Sequence, residues 1–238
     1  MLFIFRQLRR LELRKRGGQY FLYAFGEIVL IVVGILIALQ IQNWNEGRRD
    51  RIKERYLLEE LVDNLNQEAE RLEQGLVGIN GQIEAVEVIE AYFKERSYTK
   101  DDLEKHLSYY LGSFSFQPIS SAYDTMKSTE VGFSSRSMKA ELIDYYERWH
   151  PLLQFLVQAH REINSTETRP FLMKHLESVT RAERAVIKNV EDPDFRESLL
   201  GLNVIFKNLF PNIRTHVEDL LNKNRELLAL VEQELERM

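Results

Sequence analysis

From Tyr20 to Ile41 the chain reads YFLYAFGEIVLIVVGILIALQI, 22 residues in which Glu27 carries the only formal charge. As a helix rising 1.5 Å per residue this run spans roughly 33 Å, enough to cross the hydrocarbon core of a bilayer. Beyond Gly47 the pattern changes. Leu58, Leu61, Leu65, Ala69, Leu72, Leu76, Ile79, Ile83 and Val86 recur at steps of three or four, which places them on one face of a long helix. The extra four-residue step from Leu65 to Ala69 is a stutter in an otherwise heptad-like register. Gly75, Gly78 and Gly81 interrupt this helix at a spacing that either permits close helix contact or loosens a turn.

Further along, Thr99 followed by Asp102 predicts a helix from Asp101 to Tyr110, with the threonine capping an exposed backbone N–H. Between Gly112 and Ser137 the composition turns to Ser, Thr and Gly around Pro118, the least regular stretch. A helix begins near Ser137, and His150-Pro151 predicts a kink in it, because the residue before a proline avoids the α region. Another helix follows Pro170. Asp192-Pro193 reads as an N-cap and first-turn proline for a last helix, which carries Leu199 to Phe210, meets Pro211 and continues on Val217, Leu220, Leu221, Leu227, Leu228, Val231 and Leu235. No strand pattern is read. The expected class is all-α: a basic amphipathic segment over 1–19, a transmembrane helix over 20–41, a helical stalk over 42–98, and a helical bundle over 99–238, elongated or coiled-coil-like.

Flanking residues support an anchor. A cleaved signal peptide would carry an apolar stretch of about 7–15 residues ending in a small-x-small site, whereas this run is longer and leads into Gln40, Gln42, Asn43 and Trp44. Tyr20 and Tyr23 at one end and Trp44 at the other suit headgroup-level aromatic belts. Upstream, Ile4, Leu8 and Leu11 share a helical spacing among Arg6, Arg9, Arg10, Arg14, Lys15 and Arg16, as in a segment lying on an anionic leaflet. The other flank holds Arg48, Arg49, Arg51, Lys53 and Arg55, so counting cations hardly discriminates orientation. Because long domains translocate largely regardless of charge, the short basic tail is expected in the cytoplasm and the domain outside it.

The net charge of −5 is uneven, since the basic residues crowd beside the apolar run and the acidic ones lie in the domain. With no basic stripe away from the membrane, nucleic acid is not an expected partner. The absence of cysteine removes disulfides, thiolate metal sites and cysteine nucleophiles. Glu147-x-x-His150 is half of a bundle di-iron motif, and no second half exists in the chain. His150 is read instead as a partly exposed residue beside Trp149. His106, His160, His175 and His216 lack ligand spacing and read as surface or packing residues. No nucleophile elbow or phosphate-cradling glycine loop occurs. Catalytic residues, metal ligands and cofactors are therefore not expected.

The stretch YAFGEIVLIVVGILIALQIQNWNE, from Tyr23 to Glu46, resembles the N-terminal signature of an uncharacterised family of single-pass membrane proteins common in Bacteroidota, written YAxGEIxLVxxGILIALQxNNWNE. SSAYDTMKSTEVGFSSRSMKAELIDYY, from Ser120 to Tyr146, is similar to that family's central segment, departing from it at Met126 and at Thr129-Glu130. The resemblance implies a bacterial inner-membrane location and transfers no activity.

Four features remain as candidates for function. Gly26, Leu30, Gly34 and Ala38 recur every four residues, and small residues in such a stripe let helices pair closely in lipid, so a homo-oligomer is expected. Glu27, beside that stripe, marks either a membrane-protein partner or proton path, or a carboxylate partly solvated at the headgroups. Phe114, Phe116, Ser120 and Tyr123 lie on the irregular stretch, where recognition residues concentrate. Tyr145, Tyr146, Trp149 and Phe155 are core aromatics or the lining of a pocket. The leading expectation is a membrane-anchored interaction or scaffold protein rather than an enzyme. The alternatives are a periplasmic sensor or ligand-binding module, and a minor subunit of a proton-driven complex.

Overall fold

The computed structural model describes residues 2–95, 97–112, 114–129, 135–180 and 183–238, with side chains from Phe25 onward. Among the described residues seven α-helices follow in order: α1 (Leu2–Lys94), α2 (Lys100–Tyr110), α3 (Ser121–Ser128), α4 (Arg136–Asp144), α5 (His150–Ile163), α6 (Arg169–His175) and α7 (Pro193–Arg237). Two strands, β1 (Leu176–Thr180) and β2 (Arg184–Ile187), lie between α6 and α7. The chain divides into two compact units, one extending to Lys53 and the other comprising Glu54–Met238.

In the first unit, α1 from Phe25 is long and apolar enough to cross a membrane by length and composition. Its large apolar side chains, including Ile28, Leu30, Ile35, Leu36, Ile41 and Trp44, are exposed all round. The basic segment's side chains and those of Tyr20 and Tyr23 lie outside the described residues.

The second unit is a helical bundle with two hydrophobic cores. The first packs Leu58, Leu61, Leu65, Leu72 and Ile79 of α1 against Ile213, Val217, Leu220, Leu227 and Val231 of α7, with Met138 and Leu142 of α4 and Leu153 and Val157 of α5. The second packs Ala85, Val86 and Ile89 of α1 with Leu103, Leu107 and Tyr110 of α2, Phe171 of α6, and Phe195, Leu199, Phe206 and Phe210 of α7. The three-and-four spacing along α1 is thus a buried face. Residues 54–94 share these cores with 99–238, and the compact unit begins at Glu54.

Local signals account for several boundaries. Thr99 Oγ1 accepts the Asp102 N–H at 3.2 Å while Asp102 Oδ2 accepts the Thr99 N–H at 2.9 Å, a reciprocal capping box that starts α2. Asp192 Oδ1 accepts the Asp194 N–H at 3.1 Å, with Pro193 opening α7. α7 runs unbroken through Pro211.

The kink expected at His150-Pro151 takes the form of a π turn, Tyr145–Trp149, in which the His150 N–H reaches back to the Tyr145 carbonyl. A second, Asn164–Thr168, precedes Pro170 in the same way, with the Arg169 N–H on the Asn164 carbonyl. Each proline lacks an N–H and crowds the preceding turn, and widening that turn lets the helical path continue.

The hairpin corrects the reading that the chain contains no strand. After Pro170, α6 lasts only to His175, and β1 pairs antiparallel with β2, Val179 opposite Ala185 and Thr180 opposite Arg184. Ala185 and Ile187 alternate inward onto the second core, a period-2 signal spanning only a few residues. The Ile187 N–H donates to Glu104 Oε1 at 3.0 Å, tying the hairpin to α2. The class remains all-α, with this one small addition.

Candidate functional site

A cleft of about 510 Å³ opens beside α1 in the second unit. Its floor is the α1 face at Gly75, Gly78 and Ile79, and its walls are Tyr109 of α2 with Phe114 and Phe116 of the segment that follows α2. Arg71, Gln74, Gln82, Ser108 and Gln117 supply the polar lining. The glycines set its shape. A Cβ at Gly75 would overlap the Phe114 ring, so that ring rests directly on helix backbone, whereas a Cβ at Gly78 would meet nothing within 4 Å. Gly81 holds Tyr109 in the same manner, a Cβ there falling 3.3 Å from the ring. α1 stays continuous through these glycines rather than loosening, and close helix contact falls at Gly81 alone, with a loop ring on Gly75 and nothing on Gly78. Gln82 Nε2 donates to the Gly112 carbonyl at 2.6 Å and pins the start of the irregular segment.

At the inner end stands Glu68, 1% exposed. Its Oε1 accepts the Tyr145 hydroxyl at 2.7 Å, and its Oε2 accepts the Ile119 N–H at 3.1 Å. His150 Nε2 lies 2.7 Å from Oε1, at ion-pair distance but off the line of a hydrogen bond. Asn224 Nδ2 donates to the Tyr145 oxygen at 2.8 Å and to the Leu65 carbonyl at 3.1 Å. One carboxylate thereby joins α1, the segment before α3, the π turn with α5, and α7. Burial first, and then the Glu68 charge, hold the Tyr145 hydroxyl well above its ordinary range.

This arrangement corrects two readings of His150. It is buried, and its carboxylate is Glu68, not Glu147. Glu147 instead accepts the Tyr123 hydroxyl at 2.9 Å and pairs with Lys127 at 2.6 Å. The π turn between them changes the register by which residues three apart share a helix face. Sequence spacing offered no sign of the Glu68 partner, since contact across 82 positions depends on tertiary packing.

The structure brings Phe114 and Phe116 together in the cleft and places Ser120 and Tyr123 outside its lining. Ser120 Oγ donates to Asp124 Oδ2 at 2.7 Å, and Tyr123 stacks on Tyr146 with centroids 4.5 Å apart. Tyr145 and Tyr146 are core, Trp149 donates to Asp144, and Phe155 points outward. Residues 130–134 of the central segment lie outside the described residues. In the first unit Glu27, Gly26, Gly34 and Ala38 are exposed, with nothing within 4 Å of a Cβ at either glycine.

Two histidines belong to other settings. His175 sits between Asp192 (Nδ1 to Oδ2, 3.5 Å) and Asp194 (Nε2 to Oδ2, 2.9 Å), a set close enough to hold a cation. Lys174 Nζ already lies 2.6 Å from that Asp194 oxygen and supplies the positive charge. His160 is fully buried, edge-on to Phe206 and Phe210, and burial pulls its imidazole down to about 4.

No curated protein and no solved structure matches the chain. A family of unknown function, DUF6090, matches residues 27–195, a span that takes in the apolar run from Glu27, the cleft and the helices that wall it. The chain belongs to this DUF6090 family.

Proposed function

We propose that the protein is a membrane-anchored binding module, in which the apolar run of α1 crosses a bacterial inner membrane once and the Glu54–Met238 unit presents the Gly78–Phe114 cleft to a small ligand. The observation that carries this reading is the cleft itself: aromatic rings and amide side chains converge over a glycine-opened helix face, the character of a small-molecule site. Binding is favoured over catalysis because Glu68, the buried carboxylate at the cleft's inner end, has both oxygens committed to protein partners. The basic N-terminal tail stays in the cytoplasm in this reading and the bundle lies on the other face. Native mass spectrometry of the full chain, purified from its own membranes, tests the assignment. The parent should carry an added small-molecule mass that Gly78→Leu, which fills the cleft, does not. Identical spectra for the two would refute it.

Self-association is a second reading, favoured by the open surface at Gly26 and Gly34, where a neighbouring helix can approach closely. Glu27 then faces the partner helix, which supplies the donors that lipid lacks. Gly34→Leu should shift a crosslinked oligomer towards monomer. An unchanged ladder removes the anchor from the interface.

A further inference from the structure

We infer that the cleft takes a ligand with a planar apolar body and one anionic group, a small aromatic acid, with Arg71 receiving the charge. This rests on the binding reading above and names the ligand chemistry. A volume of about 510 Å³ fits a small molecule of one or two fused rings. Phe114, Phe116 and Tyr109 offer rings for offset or edge contact, and Gly78 leaves helix backbone open beside them.

The charge balance decides the rest. Among the described residues, Arg71 and Glu68 are the charged ones of the lining. Both Glu68 oxygens accept inward, from the Tyr145 hydroxyl and the Ile119 N–H, and at 1% exposure the carboxylate is withheld from a ligand. Among the described residues Arg71 makes no salt bridge, and the nearby Glu73 turns to Arg225 of α7 at 2.7 Å. The cleft therefore presents one uncommitted guanidinium beside an aromatic wall. A guanidinium offers two parallel donors to a carboxylate, so an acid gains directional bonds that a neutral analogue forgoes and a cationic one converts to repulsion.

The test uses the full chain in lipid nanodiscs and isothermal titration with 2-naphthoate, corrected against empty nanodiscs. 2-Naphthalenemethanol and 2-naphthylmethylammonium serve as neutral and cationic analogues. Naphthoate should bind the parent, and Gly78→Leu should abolish binding while thermal melting stays at or above the parent's. Arg71→Gln, an exposed change that leaves the cores intact, should weaken naphthoate roughly three- to tenfold and leave the alcohol unaffected. Equal binding of all three analogues, or naphthoate binding indifferent to Arg71→Gln, overturns the anionic ligand while leaving the cleft reading in place. No binding above empty nanodiscs, or full binding to Gly78→Leu, overturns the cleft reading itself.

Discussion

The two cores of the bundle place their bonded polar groups differently: at the centre of the first, and at the margin of the second, where buried Glu104 accepts from Ile187 and Arg184. In the first, Glu68, Tyr145 and Asn224 form a hydrogen-bonded chain that also reaches backbone, with His150 at ion-pair distance, so that one carboxylate gathers four chain segments beside the cleft, while His150 Nε2 and Asn224 Oδ1 make no hydrogen bond among the described residues. In the second, Phe206 and Phe210 stack with centroids 4.7 Å apart, and Tyr110 and His160 stand edge-on to both rings. There the Tyr110 hydroxyl, His160 Nδ1, Asn164 Oδ1 and Thr168 Oγ1 have no hydrogen-bond partner among the described residues. A wired core specifies which segments meet, because any other register strands a charge. The ring-packed core relies on shape and holds its histidine neutral. The cleft borders the wired one, where backbone positions are tied most tightly.

The sharpest way to break this contrast is at Glu68. Glu68→Leu should cost about 3–5 kcal/mol in urea unfolding, since it leaves the Tyr145 hydroxyl and the Ile119 N–H buried without their acceptor and His150 without its carboxylate neighbour. Glu68→Gln keeps the shape and part of the bonding and should cost less. A loss below about 1 kcal/mol for the leucine variant would mean that apolar packing alone holds the first core.

His160 probes the second core through pH. Its folded-state value, about 4, lies below the ordinary 6.5, so the unfolded chain binds this proton more readily than the folded one. The contribution is fully present above about pH 6.5 and is lost as pH falls towards 4, a difference of roughly 3 kcal/mol. His160→Phe should remove that part of the acid limb when urea midpoints are compared at neutral pH and near pH 4. Parallel limbs for parent and variant would assign the acid sensitivity elsewhere.

A matched pair of hydroxyl deletions compares the cores directly. Tyr145→Phe removes a bond to Glu68 and one from Asn224 and should cost about 1–3 kcal/mol. Tyr110→Phe removes an unpartnered hydroxyl and should be neutral or slightly stabilising. Equal costs in the two variants would erase the distinction.

How far the sequence foretold this arrangement depends on the range of the interaction. The buried face of α1, the Thr99 box and the Asp192-Pro193 start were legible because each is set by residues within a few positions. Phe114 and Phe116 stood out as aromatics on an irregular stretch, and Gly75 and Gly78 as breaks in a helical pattern, yet nothing local showed that they face each other. Glu68 was indistinguishable from the other acids on α1, because its burial comes from partners 51, 77 and 82 residues away. The hairpin escaped notice because two short strands give too few alternations to compete with the helical pattern around them.

The smallest effect lies where α7 crosses α1 at the surface. Lys207 Nζ is 2.7 Å from Glu90 Oε2, and Lys94 pairs with the other oxygen. The Lys207 and Lys94 ammonium groups hold the Glu90 carboxyl down to about 2, so its contribution is present above the usual carboxylate range and disappears as pH falls towards 2. That depression does not convert into comparable stability, because Lys207 is 59% exposed and water screens the pair. Lys207→Ala should cost less than about 1 kcal/mol at low salt, and the difference should vanish near 1 M salt, where the screening length falls to about 3 Å. A cost above about 2 kcal/mol that persists in salt would show that the pair behaves as Glu68 does, and Glu90 would then join Glu104 in tying the edge of the second core.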